Sequence, residues 1–140
     1  MKNILLKSAF VFALILVSGI GFSQVELTEK LCTDKLQHPY ISDGQQYKSL
    51  LNGDEVAEFR ATFYGGSTYR IVSNSGKEEG NVIFSIYDKE RNLLFSNADY
   101  KNSSYWDFKF ASTVDCIIEA ELNQKKLNSG YVLLLIGFKQ

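Results

Sequence analysis

The residues of this 140-residue chain that could do chemistry are few: one imidazole, His38, two thiols, Cys32 and Cys116, and acids scattered through loops and strands. A nucleophile of the Ser-His-Asp or Cys-His kind needs a base at its side, and His38 is the sole imidazole that could provide it. It precedes Pro39 in a linker-like stretch where a surface histidine is ordinary, and no G-x-S-x-G elbow occurs. A small hydrolase built on His38 or on an acidic pair therefore ranks last among the readings, and no catalytic residue is assigned. Carboxylates can pair across space as glycosidases require, but Glu119 and Glu121 alternate with apolar residues and so point to the solvent face of a strand.

The compartment decides how the thiols are read. Lys2 and Lys7 flank the start of an apolar run from Ala9 to Val17, and the small residues Ser18, Gly19, Gly21 and Ser23 follow it. This is the pattern of a secretory signal peptide over residues 1–23, because the run is far short of the roughly 20 apolar residues that a membrane span needs. The residues ahead of Cys32 lack the small residue of a lipid-attachment signal, so no lipid anchor is expected. Export to the periplasm or the cell exterior places both thiols in an oxidising compartment and predicts a Cys32–Cys116 disulfide, which in the chain-entropy picture is worth about 4 kcal/mol. With His38 the thiols would supply an incomplete metal site without the spacing of zinc modules, so neither a metal nor a cofactor is implied. The acid- and amide-rich stretches 88–92 and 97–102 carry hard oxygen atoms suited to calcium, yet neither matches the calcium-loop pattern, and turn chemistry accounts for them.

Binding is then the remaining chemistry. The formal net charge is −1 at pH 7, more negative once Lys2 and Lys7 are removed, and no cluster of Lys or Arg occurs, which argues against nucleic acid. No second long apolar run exists, so the processed chain is not expected to be membrane-embedded. Tyr40, Tyr64, Tyr100, Tyr105 and Trp106 are the aromatic material for a sugar- or peptide-binding surface. Trp106 shares its strand face with Phe108 and Phe110 and reads as core. Tyr64, Tyr100 and Tyr105 fall at loops or outward positions and, with Arg70, are the candidate contact residues.

These side chains must be positioned by strands. From Val56 onward the chain is rich in Phe, Tyr, Ile and Val and free of proline, with period-two alternation. Ala57, Phe59, Ala61 and Phe63 share one face; Tyr69, Ile71 and Ser73 follow; then come Val82, Phe84 and Ile86. A polar turn at 88–92 predicts a hairpin into Leu93, Leu94 and Phe95. Trp106, Phe108 and Phe110 form the next inward set, and Val114, Cys116, Ile118, Ala120 and Leu122 the one after. The run YVLLLIGFK is apolar throughout, as a central strand buried on both faces should be. Ahead of these, Leu27, Leu31 and Cys32 make a helical stripe that Pro39 stops. Residues 45–51 fit either a helix face or a strand; Asn52-Gly53 favours a strand paired back on 55–63. The predicted architecture is an all-β, antiparallel sandwich of jelly-roll type with about eight strands over 45–140, preceded by a short helix and linker over 24–44.

Gly65 and Gly66 pose a separate question, whether they cradle a ligand or turn the chain. A phosphate cradle needs a helix directly after the glycines, and TYRIV is strand-like. A three-residue Gly-Gly-Ser hairpin loop would pair Phe63 with Tyr69 and Ala61 with Ile71, keeping the apolar faces together and Arg70 outside. The alternative is that the two strands belong to opposite sheets and the glycines serve a corner.

The succession FRATFYGGSTYRIV, VIFSIYDKERNLLFSN, YWDFKF and GYVLLLIGF resembles small secreted bacterial β-sandwich domains of the pre-peptidase C-terminal type. That resemblance spans about residues 45–138 and implies a non-catalytic appendage, in some members one that binds polysaccharide or calcium. The reading that results is an exported, non-catalytic binding module of the bacterial envelope, with an envelope protein as partner. Carbohydrate binding through Tyr64, Tyr100 and Tyr105 is the alternative.

Overall fold

Alternation in the sequence becomes two sheets because each strand has one face to hide. The computed structural model describes residues 20–76 and 79–140, with side chains from Val25 onward. The predicted signal peptide thus falls mostly outside the described residues. Helix α1 (Ile20–Lys35) is followed by β1 (Ile41–Asn52), β2 (Val56–Phe63), β3 (Thr68–Asn74), β4 (Val82–Tyr87) and β5 (Leu93–Ser96). A 3-10 turn (Asn97–Tyr100), β6 (Tyr105–Lys109), β7 (Val114–Leu122) and β8 (Ser129–Lys139) complete the order. Sheet A runs β1-β8-β3-β6 and sheet B runs β2-β7-β4-β5, every pairing being antiparallel. The expected all-β sandwich of about eight strands with one short helix is what the chain forms.

Between the sheets, Phe63, Tyr69, Ile71, Phe84, Ile86, Cys116, Ile118, Leu134 and Ile136 form the central core. Leu51, Ala57, Val82, Ala120, Leu122 and Val132 extend it toward one end. A third cluster explains why β8 is apolar on both faces. Leu134 and Ile136 point between the sheets, while Leu133 and Leu135 point outward and are covered by Cys32 and Leu36 of the helical segment. Each such fully buried aliphatic side chain contributes about 1.5–3 kcal/mol. The helix stripe that docks is Thr28, Cys32 and Leu36, four residues apart, with Leu27 and Leu31 half-buried beside it. Among the described residues the helix runs from Ile20 to Lys35.

Three pairings differ from expectation. Residues 45–51 are strand, but β1 pairs with β8 (Tyr47 with Leu134, Leu51 with Gly130), and β2 pairs with β7. The doubly buried β8 needs a neighbour on each side and takes β1 and β3, so the Asn52-Gly53 turn carries the chain from one sheet to the other. Phe63 and Tyr69 are likewise not ladder partners, since β2 and β3 lie in opposite sheets. Their rings meet edge-on across the core, with centroids 4.9 Å apart. Gly65-Gly66 is therefore the inter-sheet corner. Gly66 has φ +93, and a Cβ on Gly65 would lie 2.9 Å from Ser112 Cα, in the β6–β7 corner that crosses back between the sheets.

The third difference is the disulfide. Cys32 is buried under α1 on the outer face of sheet A, its Sγ 3.9 Å from the Leu133 carbonyl oxygen. Cys116 projects from β7 of sheet B into the central core. Sheet A stands between them, and both thiols are free. Burial raises Cys32 to about 12 and Cys116 to about 11, so neither is a reactive thiolate at neutral pH. The β4–β5 hairpin, by contrast, forms as expected, with Ile86 opposite Phe95.

Candidate functional site

Arg70 and Asp107 are direct ladder partners on β3 and β6, both pointing to the outer face of sheet A. The arginine fork closes on the carboxylate: Nε donates to Oδ1 at 2.7 Å and Nη2 to Oδ2 at 3.0 Å. Nη1 donates to the Lys35 carbonyl at 3.0 Å, one of the orphan acceptors at the end of α1. The guanidinium carbon also lies 4.4 Å from the Tyr40 ring centroid and 4.7 Å from that of Tyr105. Lys139 Nζ stands 5.1 Å from the Tyr40 ring. Hydrogen bonds from Arg70 hold the Asp107 carboxyl below the usual carboxylate range, helped by the Tyr40 hydroxyl and by the Arg70 and Lys139 charges. Burial first, and Asp107 second, raise the Tyr40 hydroxyl.

The aromatic material around β5 and β6 is stacked rather than scattered. Trp106 turns inward, as expected, and packs on Phe95 across the edge of the sandwich at 5.4 Å. Tyr100 covers the pair, 4.2 Å from Trp106 and 5.5 Å from Phe95, and remains 48% exposed. Its position depends on Asn97, which is fully buried: Nδ2 donates to the Val82 and Ser103 carbonyls, and Oδ1 accepts from the Phe84 amide. A shallow hollow of about 320 Å³ lined by Ser103, Tyr105, Trp106 and Asp107 separates this stack from the Arg70 group. The Ser104 and Phe110 carbonyls accept from Ser73 and Gly66 on the β3 side. By alternation along an edge strand, Tyr105, Asp107 and Lys109 turn their backbone groups outward.

Of the sequence candidates, the fold thus joins Arg70 with Tyr105, while Tyr100 packs on Trp106 and Phe95. Tyr64 lies elsewhere, at the end of β2 on the opposite side of the sandwich, 62% exposed, with its amide donating to the Tyr69 hydroxyl at 2.9 Å. Tyr40 was named among the aromatic residues but not singled out, and Asp107 and Lys139 were missed. Asp107 was legible only as an outward residue, and its pairing with Arg70 depends on a ladder that the sequence does not specify.

Most of the acids considered for catalysis or calcium are engaged in ion pairs or lie in turns, while Glu121 lies on β7. On the outer face of sheet B, Arg91 donates to Glu58 and Glu119, both at 2.9 Å, and Lys89 meets Asp115 at 2.9 Å. Asp88 accepts from the Asn92 amide and side chain. His38 is exposed in the turn before β1. Among the described residues no group of three or more His, Cys, Asp and Glu is placed to hold a metal ion, and no helix is long and apolar enough to cross a membrane.

No family model matches the chain, and no curated protein matches it. The resemblance to the pre-peptidase C-terminal type therefore finds support only at the level of a small all-β fold. Among solved structures, the chain is similar to PliG of Aeromonas hydrophila, a periplasmic lysozyme inhibitor of g-type lysozyme. The TM-score is 0.53 at 11% identity, covering 71% of this chain and 91% of that one. A de novo designed double-stranded β-helix overlaps with a TM-score of 0.35 at 12% identity, covering 68% of this chain and 99% of the design.

Proposed function

We propose that this chain is an exported, non-catalytic binding protein of the bacterial envelope that grips a partner protein with the face built on Arg70, Tyr105 and Tyr100. The observation that carries this reading is the fixed Arg70 group, whose fork, two flanking rings and helix-end carbonyl all restrain it before any partner arrives. Arg, Tyr and Trp dominate the centres of protein interfaces, because large, rigid, amphipathic side chains give contact area at little entropic cost. Export is supported by the N-terminal pattern of Lys2, Lys7 and the Ala9–Val17 run, and by the periplasmic address of PliG.

A g-type lysozyme is the first partner to test, since PliG inhibits one. The purified chain should slow lysis of peptidoglycan by g-type lysozyme, or should recover one defined envelope protein in a pull-down. Tyr105→Ala and Arg70→Ala should each weaken that association at least tenfold while leaving the far-ultraviolet circular dichroism unchanged. Full inhibition or capture by the double variant would overturn the assignment of this face. A second reading, glycan binding, is favoured by a different part of the molecule, the cleft beside Tyr64.

A further inference from the structure

The free edges of β1 and β2 lie on the same side of the sandwich and diverge, leaving a cleft of about 560 Å³. Its size is within the range of small-molecule sites. Two things shape it. Aromatic walls come from Tyr47, Tyr64 and Phe138, above a floor containing Tyr69. The polar rim comes from Asp43, Gln45, Arg60 and Gln140.

The rim is held in place by an irregularity in β1. The β1–β8 register shifts between Ser42 and Gln46, Gly44 takes φ +84, and the Ser42 and Asp43 side chains accept from the Gly44 and Gln45 amides at 3.1 and 2.9 Å. Such a bulge re-aims a side chain. Here it brings Asp43 over the cleft, where its carboxyl also accepts a hydrogen bond from the Tyr47 hydroxyl. Asp43 stays exposed and Tyr47 is half-buried, and partial burial is the main cause that raises both groups. Arg60 also lines the cleft from β2; its side chain lies on the outer face of sheet B, 80% exposed and 3.7 Å from Glu58 at its nearest ion-pair approach, so its fork is largely unspent.

One acid and one base on the rim cancel, which disfavours a strongly charged ligand. Flat ring faces between amide and carboxylate groups suit a molecule that has apolar C–H faces and a rim of hydroxyls. We infer that the β1–β2 cleft is a binding site for a neutral oligosaccharide, stacked on Tyr64 and Tyr47 and hydrogen-bonded by Asp43, Gln45 and Arg60. The site is independent of the Arg70 face and could exist whether or not that face holds a protein.

The test titrates the full chain with cellotetraose, tetra-N-acetylchitotetraose, laminaritetraose and maltotetraose, with a neutral extended octapeptide and tetragalacturonate as comparators, followed by amide chemical shifts. The expected result is that at least one neutral tetrasaccharide shifts Gln45, Tyr47, Arg60 and Tyr64. Asp43→Ala and Tyr64→Ala, both exposed positions, should each raise Kd at least fivefold, and Arg70→Ala should leave it unchanged. No binding at millimolar sugar, shifts confined to other surfaces, an affinity indifferent to both cleft variants, or preference for the peptide or the charged sugar would each overturn the inference.

Discussion

Cys32 and Cys116 lie on opposite sides of sheet A, one beneath the helix against the Leu133 carbonyl and the other in the central core. No side-chain rotation can join them, because β3 and β8 intervene. Alkylation in denaturant without reductant should add two labels per chain, and in native buffer neither thiol should react within minutes. A reducing agent should leave Tm unchanged. No label, or a fall in Tm on reduction, would restore the bond.

That misreading shows what patterning can and cannot convey. Period-two alternation assigned the inward faces of β2, β4, β6 and β7 correctly, because it reports only which side of a strand is dry. The continuous run in β8 also pointed to a strand covered on both sides, and Leu133 and Leu135 under the helix supply the reason. What alternation leaves open is the partner. Cys116 is inward and Cys32 is on a buried helical stripe, yet inward to which layer is a property of sheet order. The same gap hid Asp107 as the mate of Arg70 and led Asn52-Gly53 to be read as a hairpin within one sheet. For Gly65-Gly66 the corner was among the alternatives, and the placing of β2 and β3 in opposite sheets decides for it.

The Arg70 group should be a stability element as well as a contact surface. Arg70→Ala removes a mostly buried fork, two ring contacts and a donor to the helix end, and should lower unfolding free energy by about 1–2 kcal/mol in urea denaturation. Arg70→Lys keeps the charge but not the planar fork and should recover less than half of the loss. A wild-type-like midpoint in both variants would mean that the group is ornamental to the fold.

Acid should dismantle the same group in a defined direction. The Asp107 carboxyl is depressed in the folded protein, chiefly by its hydrogen bonds from Arg70. A depressed acid stabilises the fold above its unfolded value of about 3.9, and the contribution is lost as pH falls through the lower folded value. The Arg70 Nε–H resonance should therefore persist unchanged from neutral pH down to about pH 4 and broaden only below it. In Asp107→Asn that dependence should vanish. Loss of the resonance already near pH 6 would contradict the paired geometry.

The two glycines of the corner should fail for different reasons. Gly65→Ala sets a methyl 2.9–3.0 Å from the Ser112 and Ala111 backbone, which cannot swing aside as a side chain would, so a cost of about 1–3 kcal/mol is expected. Around Gly66 there is open space, and Ala there meets only the left-handed backbone, a cost of about 1–2 kcal/mol. Asn should relieve part of it at Gly66, where left-handed backbone is the obstacle, and none at Gly65. Thermal melts of the four variants separate crowding from backbone preference, and equal rescue by Asn at both positions would refute the distinction.

Asn97 links the hidden interior to the exposed aromatic stack, so its removal should be read twice. Asn97→Ala leaves the Phe84 amide and the Val82 and Ser103 carbonyls without their partner in a dry site, and should cost about 3 kcal/mol or more. Asn97→Asp keeps the acceptor for Phe84 but gives up both donated bonds and buries a carboxylate, whose pKa must rise. It should be the less stable of the two at neutral pH and should gain on Ala as pH is lowered toward 5, because protonation removes the buried charge. Tyr100 sits on the turn that Asn97 begins, so Trp106 fluorescence should report the stack opening before global unfolding in either variant. Coincident transitions in fluorescence and circular dichroism would instead show that the turn and the sandwich melt as one unit.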